Sequence, residues 1–257
     1  MLRLLTAIFR LALTASGFIA FYAGGLVLCW VVLPPVWLFG GDHLQRVRRC
    51  QAIVHRGFVF FHAYARISGS LRFDPHLVNL HLPPGGCVVI ANHPTLIDVT
   101  AVMACLDHVT CIVKGPLFHH PAMARLLRYC WHIDGGSADA TSGASVMLQA
   151  ADRLQQQMPV LIFPEGTRSP PRQLQPFRRG AFEIAMRSGV TIVPLLLTCD
   201  PPALAKGVPW YAYPSRTVQF GVKQLPTLDP AQWQGDSKRM CADVQAMFQA
   251  ELDGAAT

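Results

Sequence analysis

His93 and Asp98 stand five residues apart in Asn92-His93-Pro94-Thr95-Leu96-Ile97-Asp98, and of the ten histidines in the chain only His93 has an aspartate at that spacing. An alcohol is a poor nucleophile at neutral pH and must lose its proton as it attacks a carbonyl. An imidazole held in one tautomer by a carboxylate supplies that base. The isolated pair also has a plainer reading, a histidine satisfying a loop carbonyl and an aspartate capping a helix. A second cluster shifts the balance: Phe163-Pro164-Glu165-Gly166-Thr167-Arg168-Ser169 presents a carboxylate and a guanidinium within four residues. Glu165 is expected to accept hydrogen bonds from substrate hydroxyls, and Arg168 to fork onto a phosphate or place the carboxylate. A plain turn needs Gly166 but not the flanking charges.

Both clusters follow short apolar runs that read as strands. Strands are expected at Cys87 to Ala91, Thr110 to Val113, Val160 to Phe163, Thr191 to Leu197 and Thr217 to Val222. Helical spacing lies between them at Val99 to Leu106, Ala122 to Tyr129, Ala144 to Gln157 and Gly180 to Ser188. The alternation predicts an α/β domain with a mixed, largely parallel sheet flanked by helices, its site gathered where strands end and helices begin. Pro94 is expected at the first position of a helix, with Asp98 about one turn in. A helix from His43 to Ile67 leads into this body, and a last one, roughly Ala231 to Leu252, packs on it. The expected division is 1–41 membrane anchor, 42–82 basic helix and linker, 83–225 catalytic domain and 226–257 C-terminal helix and tail.

The anchor rests on composition. Half of the 257 residues are hydrophobic and 14% charged, too apolar for an ordinary soluble protein and too polar for a bundle of membrane spans. No charged side chain occurs from Leu11 to Gly41. Leu11 to Leu33 as a helix reaches about 35 Å, enough to cross a hydrocarbon core of about 30 Å. Breaks at Gly17, Gly24 and Gly25 would instead give two short helices entering and leaving one leaflet, with Pro34-Pro35 ending the second. Removing residues 1 to 41 is expected to free the body from the membrane. A cleaved signal peptide fits less well, because the apolar core is long and no small-x-small site follows.

Residues 1 to 75 hold eight of the 22 basic side chains and two of the 15 acidic ones, so the formal charge of +7 gathers beside the anchor. Arg46, Arg48, Arg49 and Arg56 there suit anionic headgroups and a cytoplasmic location, or simply the solvated face of a helix; nucleic acid is a poor alternative. The eight cysteines show no C-x-x-C pair and read as reduced, buried thiols. His119, His120 and His132 read as surface or packing residues, and no metal is expected. There is no G-x-S-x-G elbow, no G-x-x-x-x-G-K loop and no H-E-x-x-H site.

The two motifs in this order resemble the glycerolipid acyltransferase family, typified by enzymes that acylate lysophosphatidic acid, over about Gly86 to Leu197. Lys114, Leu117 and Pro121 are similar to its second motif, and Pro194 to its fourth. Phe177-Arg178-Arg179-Gly180 occupies the place of its basic turn. The resemblance implies a membrane-associated O-acyltransferase with His93 as base and Asp98 as its partner. Asn92, Lys114, Glu165, Gly166, Thr167, Arg168, Arg178 and Arg179 would then line the substrate site.

The implied reaction is direct transfer from acyl-CoA or acyl-acyl carrier protein to a lipid hydroxyl at the inner membrane of a bacterium. It needs no cofactor beyond the acyl carrier, and it places the oxyanion on backbone N–H groups after His93. One departure concerns the acceptor: the second motif usually ends in an Arg, whereas Ile133-Asp134-Gly135-Gly136 offers a glycine. The segment Cys199-Asp200-Pro201-Pro202 to Trp210-Tyr211 looks more like relatives in aryl polyene-type lipid pathways. A lipid-binding protein without turnover and a thioester hydrolase are the other readings.

Overall fold

The computed structural model describes residues 2–136, 140–212, 214 and 216–254. It opens with helix α1, Leu2–Val27, which passes through a π-helical turn at Leu28–Val32 into α2, Leu33–Phe39. Pro34 and Pro35 have no N–H to donate, and the Leu33 N–H reaches back five residues to the Leu28 carbonyl. The expected ending at the two prolines is therefore not found. They sit in the first turn of α2, and the helix also runs unbroken through Gly17, Gly24 and Gly25.

The chain reverses at Gly40-Gly41, where Gly41 takes φ +99° and the Asp42 carboxylate caps α3, His43–Ile67, through the Gln45 N–H at 2.9 Å. Helices α1–α2 and α3 form an antiparallel hairpin. The Ser16 and Tyr64 hydroxyls meet at 2.7 Å, Phe21 packs on Phe58 and Phe61, and Trp37 stacks on Tyr129 at 4.8 Å. Buried Cys29 and Leu33 join Cys50, Val54, Phe118, Leu126, Leu127 and Cys130 in one apolar cluster. The first 41 residues thus pack on the body, and their removal would uncover that cluster.

Strand β1, Leu71–Arg72, precedes β2, Val88–Ala91, whose four residues are all buried. Then come α4, Asp98–Cys105; β3, Thr110–Val113; α5, Gly115–Phe118; α6, Ala124–Tyr129; β4, Ile133–Asp134; and α7, Ala140–Gln155. Strand β5, Val160–Ile162, leads to α8, Gly180–Ser188, then β6, Ile192–Asp200, β7, Val218–Gln224, and α9, Ser237–Gly254. They build one seven-stranded sheet in the order β1-β7-β6-β2-β5-β3-β4, parallel except for the β6–β7 pair. Helices α7, α8 and α9 cover one face, and α3 with α4 the other. This is the mixed, mostly parallel, helix-flanked sheet expected from the alternating pattern.

The differences are local. The expected C-terminal helix starts later, because Gln234 and Gly235 adopt positive φ after a short 3-10 turn at Pro230–Trp233. The tail expected to be disordered, residues 255–257, lies outside the described residues. All eight cysteines are free thiols, six buried and two half-buried.

Because β2, β5, β3 and β4 run in parallel, the residues after them emerge along one edge in the order His93, Glu165, Lys114 and Gly135. Two histidines of the body are sealed from water. His62 bonds the Thr100 hydroxyl at 3.1 Å, and the His132 ring accepts the Cys111 N–H at 3.0 Å. Burial lowers both to about 4 from an ordinary 6.5, helped at His132 by the Arg153 charge.

Their neutral form is favoured in the fold, so the stability they support is complete above pH 6.5 and declines as pH falls toward 4. Each contributes roughly 3 kcal/mol to that decline. Thermal midpoints measured from pH 7 to pH 4 should fall steeply, and His62→Phe should flatten part of the slope. An unchanged slope in that variant would remove His62 from the account.

Candidate active site

His93 lies two residues beyond the end of β2 and Asp98 opens α4. The helix begins at Asp98 rather than at Pro94, so the aspartate is its first residue and not one turn in. The reason is the tight turn in between: the Thr95 N–H donates to Asp98 Oδ2 at 2.8 Å, and the Ile97 N–H donates to the Thr95 hydroxyl at 2.9 Å. The turn folds the carboxylate back onto the imidazole. His93 Nδ1 meets Asp98 Oδ2 at 2.7 Å, with the His93 side chain 18% exposed and that of Asp98 fully buried.

Burial pushes the Asp98 carboxyl above its ordinary range, opposed by the His93 contact and the Thr95 N–H. Its position at the start of α4 puts it where helix amides favour negative charge. With Nδ1 engaged, Nε2 is left as the basic nitrogen, and among the described residues it has no hydrogen-bond partner. Phe163 packs 4.6 Å from the ring and limits its rotation.

Glu165 has a different task from the one its sequence suggests. It is 2% exposed; Oε1 accepts the His93 N–H at 2.7 Å, while Oε2 accepts the Ser169 hydroxyl and the Gln175 N–H, the latter at 2.6 Å. The Ser169 N–H returns a bond to the His93 carbonyl at 2.8 Å. The carboxylate therefore binds the catalytic loop to the loop after β5, with its oxygens committed to protein donors rather than to substrate hydroxyls.

Asn92 is likewise committed: its amide donates to the Leu197 carbonyl at 2.9 Å and its carbonyl accepts the Leu197 N–H at 2.7 Å. It extends the β2–β6 ladder past the end of β2 and is 2% exposed, so it serves the frame and not the substrate.

The remaining expected residues ring the edge. Arg168 is half-buried and donates Nη1 to the Leu204 carbonyl at 2.8 Å. Gly166 takes φ +65°, and a Cβ there would lie 2.9 Å from the Arg178 guanidinium carbon, so this turn and Arg178 pack directly together. Thr167 is half-buried; Arg178, Arg179 and Lys114 are exposed, without ion pairs among the described residues. These three cations are available to an anionic substrate.

The oxyanion expectation is narrowed, because the Thr95 and Ile97 N–H groups are already used. Ser169, Gln175 and Thr95 were not singled out from sequence. Ser169 at least lies within the charged motif, whereas nothing in the spacing marks Gln175.

Gly135 is enforced by packing. Its N–H donates to the Val113 carbonyl at 2.7 Å, and a Cβ would stand 2.8 Å from that same oxygen. No side chain fits there without moving β3 or β4. Beside it Asp134 pairs with exposed His119 at 2.8 Å, so this end of the edge carries a carboxylate rather than a guanidinium.

If Glu165 is the bridge between loops, Glu165→Ala strands two half-buried amides and the buried Ser169 hydroxyl and should cost about 3 kcal/mol of stability. Thermal unfolding in detergent and acceptor kinetics together test this. A variant with unchanged stability and only a raised acceptor KM would return Glu165 to substrate binding.

A model of the Acyltransferase family matches residues 77–198, which span the catalytic loop, the Glu165 turn and most of β6. A 1-acyl-sn-glycerol-3-phosphate acyltransferase of Chlamydomonas reinhardtii is 29% identical over 179 residues, 70% of this chain and 53% of that protein. The mouse protein named 1-acyl-sn-glycerol-3-phosphate acyltransferase alpha is 25% identical over 84% of this chain and 72% of its own length. The chain spans about half the length of the first curated relatives it matches. The crystal structure of the acyltransferase PlsC from Thermotoga maritima has the same fold, with a TM-score of 0.66 and 18% identity over 99% of this chain and 96% of that one. Residues 77–198 thus match the Acyltransferase family model, and the curated relatives of the chain are named as 1-acyl-sn-glycerol-3-phosphate acyltransferases.

Proposed function

We propose that the protein transfers a fatty acyl group from a thioester carrier, coenzyme A or acyl carrier protein, to a lipid hydroxyl. The observation that carries this is the 2.7 Å contact of His93 Nδ1 with buried Asp98, which leaves Nε2 facing outward as a base. Nε2 takes the hydroxyl proton as the acceptor oxygen bonds to the thioester carbon. The tetrahedral adduct then collapses, the C–S bond breaks, and the imidazolium returns its proton to the leaving sulfur. Asp98 stabilises the imidazolium between the two steps, and in its buried site that attraction is strong. No acyl-enzyme forms.

The setting is a membrane surface. The stretch Leu11–Phe39 has mean hydropathy 2.0 and is the one helix among the described residues long and apolar enough to cross a bilayer. Its contacts with the body extend from Ser16 to Trp37, which favours a helix lying along the protein over one projecting from it. Ile19, Tyr22, Leu26, Val27, Trp30 and Val31 are exposed on it and would enter the lipid. Arg48, Arg49 and Arg56 on α3 are exposed and suit anionic headgroups, in keeping with the cytoplasmic leaflet of a bacterial inner membrane. Replacing Ile19, Val27 and Val31 with lysine should release the protein from vesicles while leaving its circular dichroism unchanged. Undiminished flotation with vesicles would overturn this attachment.

For the acceptor, we propose a hydroxyl other than that of lysophosphatidic acid, such as a glycolipid or a polyketide-type lipid of the aryl polyene kind. Gly135 and the neighbouring Asp134 support this, because a phosphate monoester would meet a carboxylate at that end of the edge. In a competition assay with the acyl donor fixed, uncharged acceptors should be used in preference, and a clear win for lysophosphatidic acid would sink the proposal. His93→Ala should lower turnover at least about a hundredfold without unfolding the protein, and Asp98→Asn should also impair it. Full activity of His93→Ala would remove the mechanism, and release of free fatty acid alone would identify a hydrolase.

A further inference from the structure

Between β6 and β7 the chain makes a long excursion whose tip is exposed and aromatic. Ala203 and Ala205 are buried at its base, and the Leu204 carbonyl between them accepts the Arg168 guanidinium at 2.8 Å. Beyond this anchored base, Lys206, Gly207, Val208, Pro209, Trp210 and Tyr211 are all exposed, with Tyr211 at 62%. Two large rings held out in water from a fixed base call for a partner.

Two observations name it. Trp210 meets Phe18 of α1 edge-on at 5.7 Å, so the tip continues the apolar outer surface of the N-terminal helix. From Pro201 to Lys223 there is no acidic residue; Lys206 opens the exposed tip as its one cation, whereas Arg216 and Lys223 pair with Asp200 and Glu251. Trp and Tyr with an adjoining lysine are a composition that settles at the headgroup level of a bilayer.

We propose that segment 206–212 is a second membrane-contact element, which seats Trp210 and Tyr211 in the headgroup region beside α1. This rests on membrane attachment through α1–α2. The Arg168–Leu204 bond places the base of the loop at the active-site edge, so a bilayer touching the tip also reaches the mouth of the site. An acceptor diffusing in the leaflet would meet His93 without crossing water.

The test uses the full chain on vesicles of phosphatidylcholine and phosphatidylglycerol with brominated acyl chains, which quench nearby tryptophans. Subtracting the emission of Trp210→Phe from that of the unaltered protein isolates Trp210. The expected result is a blue-shifted Trp210 component quenched by at least about half, and a roughly tenfold weaker vesicle affinity in a Trp210→Ala, Tyr211→Ala double variant. An unquenched Trp210 in a protein that floats with the vesicles overturns the loop proposal alone. Failure of the unaltered protein to float overturns the attachment itself and the loop with it. Loss of a dimer in nanodiscs on Trp210→Ala, with Trp210 unquenched, would assign the surface to a second copy of the chain and also overturn the proposal.

Discussion

The buried carboxylate of Glu165 is the constraint on which the site depends. It reaches the His93 N–H on one side and Ser169 and the Gln175 N–H on the other, while the Ser169 N–H returns a bond to the His93 carbonyl. Both backbone polar groups of His93 are therefore fixed by the loop after β5. A general base must be held within tenths of an ångström of its proton, and a loop residue just past a strand end has few other means of being held. Asn92 supplies the orthogonal restraint by clamping the start of the same loop to Leu197 of β6. Three adjacent strands thereby converge on one imidazole, and in the proposed mechanism Asp98 is left to set its tautomer and balance its charge.

The same economy governs the N-terminal hairpin. A helix rich in apolar residues is usually either core or membrane span, and here one side of it serves the core. Cys29 and Leu33 are fully buried against α3 and α6, while Val31 between them stands in the open and exposed Trp30 carries the Arg125 guanidinium over its ring at 4.1 Å. The π-helical turn falls across this stretch, at the point where the two prolines remove donors. Helix α3 then belongs to both neighbours, packing on the hairpin along one side and burying Val47, Gln51, Val54 and His62.

Much of this frame was legible because its signals are periodic. Five apolar runs and the helices between them gave the parallel sheet and its functional edge, and the His93–Asp98 spacing was informative because only one histidine has it. The two-residue strands Leu71–Arg72 and Ile133–Asp134 carry no period and were not visible. The contacts of Glu165 and Asn92 were not legible for a common physical reason. A charged or amide side chain at a strand end looks the same in sequence whether it faces solvent or a backbone amide, and only the fold brings Leu197 or Gln175 to it. Gly135 was read as a missing arginine, a comparison of side chains. The structure gives a backbone cause, since the Val113 carbonyl occupies the space a Cβ would need.

That cause bears on how selectivity could arise along the edge. If Gly135 merely lacked an arginine, one substitution would add it, and acceptor preference would be a matter of one side chain. Because β3 and β4 approach so closely at Gly115, Gly135 and Gly136, with a Cβ at Gly115 also 2.9 Å from the Gly136 carbonyl, the missing group is built into strand spacing. Beside this approach the Asp134 carboxylate pairs with exposed His119 at 2.8 Å. The exposed cations Arg178 and Arg179 lie nearer the middle of the edge, after β5, while Lys114 follows β3 beside the Gly115–Gly136 approach. An anionic carrier such as coenzyme A or an acidic protein would be drawn to the middle, and a less charged acceptor would be tolerated at the β4 end. On the proposed reaction, the polarity of the edge would set donor and acceptor apart along the β5–β3–β4 side of His93 without any residue dedicated to that task.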